Sequence, residues 1–134
     1  MPHIMIDYSA NLDGRIDIPG LCLRLRDAAV ETGVLPLAGI RVRAVRVDHW
    51  VIANGDPQHG FIDISVRLRA GRSLEVRKSA VAAIFAAAEA HCADALATSS
   101  LMLSMEMRDI DPDLSPKTSS IRRYLPNDAT GDAK

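Results

Sequence analysis

The amino-acid sequence predicts an α+β fold, with two βαβ repeats forming one four-stranded sheet and two helices on one of its faces. Three observations carry that expectation. Segments near residues 3–8, 40–51, 61–69 and 101–107 are apolar or alternate apolar with polar residues at period two, as half-buried strands do. Two segments between them place apolar residues at helical spacing. The order strand, helix, strand then occurs twice. The chain accordingly divides into repeat one, 2–56, repeat two, 57–110, a C-terminal arm, 111–125, and a flexible tail, 126–134.

His3 to Tyr8 is short, apolar and terminal, and reads as an inner strand. Asp13-Gly14 is a turn signal. Asp17 stands at the N-cap position of a helix with Pro19 in its first turn. Leu21, Cys22, Leu25, Ala28 and Ala29 form its buried stripe, and Gly33 followed by Pro36 stops it. From Ile40 to Val51 the period is two, with Arg41, Arg43, Arg46 and Asp48 on the polar beats. The cluster Asn54-Gly55-Asp56-Pro57 is a turn, and Phe61 to Arg69 alternates again. The two strands are compatible with a hairpin, although the connection exceeds a tight turn. Ser73 is a good N-cap for a second helix running to about Thr98, with Leu74, Val81, Ile84, Phe85, Ala88 and Cys92 as its stripe. Leu101 to Met107 alternates as the fourth strand, and Ser115-Pro116 is placed to open a short last helix reaching Tyr124. The sheet face away from the helices is left with Ile4, Val42, Ile62 or their alternates, which requires cover by neighbouring subunits.

The composition narrows the function. The 134 residues hold 16 Lys+Arg and 17 Asp+Glu, a net charge of −1, which gives no reason to expect nucleic-acid binding. An apolar share of 48% with 25% charged residues is ordinary for a globular chain. About two-thirds of the unfolded surface can be buried at this size, so a core forms without staples. The expected location is the cytoplasm, with Cys22 and Cys92 reduced. The two cysteines are too few for a disulfide framework, the start has no basic-then-apolar leader, and no run is long enough to span a membrane. His3, His49, His59 and His91 make no metal-ligand spacing, and no phosphate-loop, dinucleotide or nucleophile-elbow motif occurs, so neither metal nor cofactor is expected.

Pro2 is the most informative residue. Its small side chain permits removal of Met1, which would leave a secondary amine at the terminus. Cationic neighbours or burial would lower the affinity of that amine for protons and make it a general base near neutrality. The plainer alternative is a strand-starting proline. Arg41 and Arg43, two apart, point to one side of the second strand. Arg72 precedes Ser73 at a helix N-terminus, where an anion would be favoured. Solvated arginines, or pairs with Glu75 or Asp48, are the alternative. Arg46, Arg67 and Arg69 read as strand-surface or subunit-contact charges, Cys92 as structural, and Met102, Met105 and Met107 as core or interface.

Three stretches in order, Pro2-His3-Ile4-Met5-Ile6, Gly33-Val34-Leu35-Pro36-Leu37-Ala38-Gly39-Ile40-Arg41-Val42-Arg43 and Ala70-Gly71-Arg72-Ser73-Leu74-Glu75-Val76-Arg77, resemble the 5-carboxymethyl-2-hydroxymuconate isomerase family of the tautomerase superfamily. The superfamily also includes 4-oxalocrotonate tautomerase and macrophage migration inhibitory factor, and the similarity reaches about Leu125. The resemblance implies a single tautomerase-like domain over residues 2–125, a homotrimer with the sheets at its centre, and a cofactor-independent isomerase. It implies Pro2 as acid–base catalyst and Arg41 and Arg72 as holders of substrate carboxylates, with Arg43 a third candidate. The substrate would be a small dicarboxylate or tricarboxylate from bacterial breakdown of aromatic compounds such as homoprotocatechuate or 4-hydroxyphenylacetate. An aromatic residue near the proline is also implied, with Trp50 and Phe61 both candidates. The tail is an addition to the family pattern. Two other readings stay open: a related phenylpyruvate or 2-oxo-acid tautomerase, and a non-enzymatic ferredoxin-like ligand-binding module in which Met1 remains.

Overall fold

In the computed structural model, which describes residues 1–126, three helices pack on one face of a four-stranded sheet. The elements are β1 (His3–Ser9), α1 (Ile18–Glu31), β2 (Arg41–Val47), β3 (Gly60–Arg69), α2 (Leu74–His91), α3 (Ala93–Thr98) and β4 (Leu101–Ile110). Short 3-10 turns lie at Ala10–Leu12, Leu37–Gly39 and Ile121–Tyr124. The sheet order is β2-β1-β3-β4. Within each repeat the strands are parallel, β1 with β2 and β3 with β4, and the repeats join through the antiparallel pair β1/β3.

Local chemistry sets the helix ends. The Asp17 carboxylate accepts from the Gly20 N–H at 3.0 Å, and proline stands in the first turn where its missing N–H costs nothing. Gly33 takes φ +73° just past Thr32, the left-handed position that glycine enters without steric cost. The Ser73 hydroxyl accepts from the Val76 N–H at 3.2 Å to cap α2. The sequence predicts one continuous second helix. The chain instead turns at Cys92 (φ −97°, ψ 9°), whose buried thiol packs in the core while α3 completes the run to Thr98. Burial pushes the Cys92 thiol above its ordinary range, as suits a structural cysteine.

Alternation in the strands builds the core. Ile4, Ile6, Ile62, Ile64 and Val66 are fully buried against Leu21, Leu25, Ala29, Ile84 and Ala88 from the helices. Met105 and Met107 pack against this core, whereas Met102 is 60% exposed. Leu74, expected on the buried stripe of α2, is the first residue of that helix and is 56% exposed.

Three further expectations are corrected. β2 and β3 do not form a hairpin, since β1 lies between them. The connection from Asp48 to His59 crosses the far end of β1, where the Asn11 side-chain amide donates to the carbonyls of Pro57 and His59. His59 also bonds the Asn54 side chain at 2.8 Å and Ser100 at 2.6 Å, which ties the connection to the start of β4. No helix opens at Ser115-Pro116: the arm is irregular up to the single 3-10 turn at Ile121–Tyr124. The open sheet face is also not apolar. Ile4, Val42 and Ile62 all face the helices, and their neighbours in sequence form polar rows across the strands. One row is Arg41, His3, Arg67 and Arg108, the next Arg43, Met5, Ser65 and Glu106, the third Val45, Asp7, Asp63 and Ser104. Of the tail expected over 126–134, Pro126 is described and 127–134 lie outside the described residues. Among the described residues no helix is long and apolar enough to cross a membrane.

Ile64 sits at 0% exposure in the middle strand of this core. Ile64→Ala should destabilise the protein by about 2–5 kcal/mol, the transfer term plus a cavity. Val51→Ala, at a position 85% exposed, should change stability by less than about 0.5 kcal/mol. Urea denaturation of both variants checks this, and equal midpoints would contradict the assignment of the core.

Candidate active site

The antiparallel register places the amino terminus beside the end of β3. His3 pairs with Arg67, so the terminus runs on toward Leu68 and Arg69. Parallel pairing with β2 sets His3 against Arg41 on the other side. The Arg41 N–H donates to the Pro2 carbonyl at 3.2 Å and fixes the backbone of Pro2, which is buried. Gly39 allows the close approach: a Cβ there would stand 2.8 Å from the Met1 nitrogen and 3.2 Å from Pro2 Cδ.

A cavity of about 250 Å³ opens at this point. Met1, Pro2, Val34, Leu35, Pro36, Ala38, Gly39 and Leu68 form its floor and apolar walls, and Arg69, Arg72, Lys117, Ser119 and Arg122 supply the polar part. Among the described residues no carboxylate lines it. Such a site attracts anions and resists the gain of another positive charge. The amine of Met1 is pushed down from 8.0 to about 6, first by its partial burial and then by Lys117, Arg41, Arg69 and Arg72. Removal of Met1 would transfer the terminal amine to Pro2, against the same cations.

The expected site residues divide. Pro2 and Arg72 line the cavity together. Arg72 is held by two carbonyls, donating to Val34 O at 2.7 Å and Arg69 O at 3.2 Å, so its guanidinium is oriented with other N–H groups left over. It pairs with neither Glu75 nor Asp48, and the first turn of α2 is capped by its own Ser73 rather than left open for an anion. Arg41 is not on the cavity lining; its Nε donates at 3.3 Å to the carbonyl of Gly39, which is. Arg43 is outside, its guanidinium 3.2 Å from His3 Nδ1 on the open sheet face. Burial, then Arg41, Arg67 and Arg43, push His3 down from 6.5 to about 4, so the ring is neutral at physiological pH. Neither aromatic candidate lines the cavity. Trp50 donates from Nε1 to His59 O at 3.4 Å at the opposite end of the sheet, and Phe61 pairs with Met102 there.

Sequence reasoning does not find Arg69, Lys117, Ser119 or Arg122. Arg69 reads as strand surface until β3 is paired with β1 rather than β2. The arm residues carry no periodic pattern that would return them to the terminus.

Comparisons with known proteins place the chain among related sequences and folds. A family model described as 5-carboxymethyl-2-hydroxymuconate isomerase matches residues 2–125. The chain is 34% identical over 121 residues to a 5-carboxymethyl-2-hydroxymuconate Delta-isomerase of Escherichia coli, covering 90% of this chain and 96% of that protein. A crystal structure of a 5-carboxymethyl-2-hydroxymuconate delta-isomerase matches with a TM-score of 0.87 at 29% identity, covering 92% of each chain. A 5-carboxymethyl-2-hydroxymuconate isomerase from Deinococcus radiodurans R1 gives 0.84 at 32% identity, covering 93% of this chain and 95% of that one. A fused 4-OT, described as a symmetric trimer, shares the fold at 20% identity and a TM-score of 0.67, covering 88% of this chain and 92% of its own. The chain belongs to the 5-carboxymethyl-2-hydroxymuconate isomerase family, and its class of reaction is isomerisation.

Proposed function

We propose that the chain, processed to begin at Pro2, shifts a double bond in 5-carboxymethyl-2-hydroxymuconate by enol–keto tautomerisation, with the Pro2 nitrogen as acid and base. The observation that carries this reading is a terminal amine in a cavity lined by cations and by no carboxylate among the described residues. The neutral amine takes the proton of the 2-hydroxyl group. The C2–O bond becomes a carbonyl, the C2=C3 electrons move to C3=C4, and the C4=C5 electrons take a proton at C5. That proton comes from the protonated proline, which returns to the neutral amine. Atoms and charge balance without a cofactor. Arg72 holds a carboxylate and favours charge developing on the 2-oxygen, and Arg41, paired to Pro2 through its backbone N–H, acts on the same substrate from the second strand. Arg43, bonded to His3, has no part in this reading. The pathway would be the breakdown of aromatic compounds such as homoprotocatechuate.

The same reading includes a homotrimer with the sheets at the centre. Its support is not an apolar face. It is the open face itself, whose cationic row at the Pro2 end and acidic positions Asp7 and Asp63 further along offer complementary charge, with Val45, Phe61 and Met102 toward the far end. The description of a fold neighbour as a symmetric trimer points the same way.

The terminus tests both parts at once. A Met1–Pro2 peptide bond makes the proline nitrogen a tertiary amide with no basic lone pair. Chain retaining Met1 should therefore have the trimer mass by light scattering and be nearly inactive. Chain starting at Pro2 should have the same mass and full activity, with kcat/KM rising with pH as the amine loses its proton. Full activity with Met1 present, verified by intact mass, would sink the proline mechanism, and a monomer at micromolar concentration would sink the trimer.

Arg72→Ala should lower kcat/KM by at least ~10-fold, since a charge-assisted carboxylate contact is worth about 1.5–3 kcal/mol. Arg24→Ala, on the exposed side of α1, should leave turnover unchanged. Equal kinetics for the two variants would remove Arg72 from substrate binding.

A further inference from the structure

Resting on the isomerase reading above, the geometry points to Lys117, carried by the C-terminal arm, as the residue that selects a substrate with a third carboxylate. The substrate's constitution sets the requirement: two carboxylates belong to the muconate chain and one to the carboxymethyl branch at C5. Arg72 is a cavity cation whose direction is set by hydrogen bonds to the frame, through Val34 O and Arg69 O. Arg69 stands beside it at the end of β3. The two βαβ units supply Arg69 and Arg72 to the cavity lining and Arg41 near the terminus, and a branch carboxylate calls for a further cation on that lining.

The arm supplies it. β4 runs parallel to β3 and ends at Ile110, opposite Arg69, at the same end of the sheet where β1 begins. The chain leaving β4 therefore starts beside the cavity. It places Lys117 and Ser119 on the cavity wall, with Arg122 after them. Lys117 makes no hydrogen bond or ion pair with another described residue. It is also the charge acting most strongly on the terminal amine, ahead of the three arginines. It shares the cavity lining with Pro2. An ammonium on a flexible stem suits such a contact, because it needs no bidentate geometry and can follow a branch that moves as C5 changes from planar to tetrahedral. The arm thus adds to the common fold a charge that distinguishes a branched tricarboxylate from an unbranched dicarboxylate.

The test compares Lys117→Met, Lys117→Arg and Arg123→Met in chain processed to Pro2, using 5-carboxymethyl-2-hydroxymuconate and unbranched 2-hydroxymuconate. Values are taken on the high-pH plateau, where the amine is neutral in every variant and its ionisation drops out. Lys117→Met should lower kcat/KM at least ~10-fold for the branched substrate and less than ~3-fold for the unbranched one. Lys117→Arg should restore most of the preference. Arg123→Met removes the same charge from the same arm, outside the cavity lining, and should change neither value. A calorimetric arm needs no turnover: propane-1,2,3-tricarboxylate should bind at least ~10-fold more weakly to Lys117→Met than to the parent, while glutarate should not discriminate. Equal losses on both substrates, or unchanged binding of the tricarboxylate, would overturn the assignment. An inactive parent chain that still shows the calorimetric difference would overturn the proline mechanism and leave the Lys117 subsite standing.

Discussion

The structure turns on one electrostatic constraint. A terminal amine is surrounded by Lys117, Arg41, Arg69 and Arg72 without a carboxylate on the cavity lining among the described residues. Each cation raises the cost of protonating that nitrogen, and partial burial adds to it. The sign is the same for all five contributions, so no single residue needs unusual geometry. On the proposed reading the same charges also attract the polyanionic substrate, whose negative charge then offsets the cations and eases proton uptake by the amine, so that one set of side chains would serve both binding and acid–base chemistry.

The fold assembles this set from distant parts of the chain. Antiparallel pairing of β1 with β3 brings Arg69 to the terminus. Parallel pairing of β1 with β2 brings Arg41. The loop after β3 carries Arg72, and its two hydrogen bonds tie that loop to Val34 and to the end of β3. The parallel β3/β4 pair returns the chain to the same end, where the arm begins. The two repeats have the same strand–helix–strand order, but only the first begins at a chain terminus.

Much of this is legible in the sequence because the relevant physics is local. Period-two alternation identifies the second, third and fourth strands, a short apolar run identifies the first, and Asp17, Gly33 and Ser73 mark helix ends that the structure places at the same residues. Pro2 and Arg72 follow from terminus chemistry and from position before a cap. Strand order is not legible, because Arg41–Val47 and Phe61–Arg69 alternate equally well whichever strand lies between them. Reading them as a hairpin leaves Arg69 on the surface, whereas pairing with β1 sets it beside Pro2. The sidedness of the sheet is likewise ambiguous. Ile4 and Ile62 lie on the helix face, and the alternates, His3, Met5, Asp7 and Asp63, are largely polar. Lys117 leaves no local trace, since an irregular arm has no period and its destination is set by where β4 ends.

The central claim concerns the proton affinity of one nitrogen, and it can be measured on that atom. Chain biosynthetically labelled with ¹⁵N-proline and processed to begin at Pro2 would report the Pro2 nitrogen by its chemical shift across a pH titration, as the sole ionising amine among the prolines. The account predicts an ionisation well below the usual range for a free secondary amine, moving upward in Lys117→Met and in Arg72→Ala. A Pro2 nitrogen that titrates at its ordinary value, indifferent to both substitutions, would contradict it.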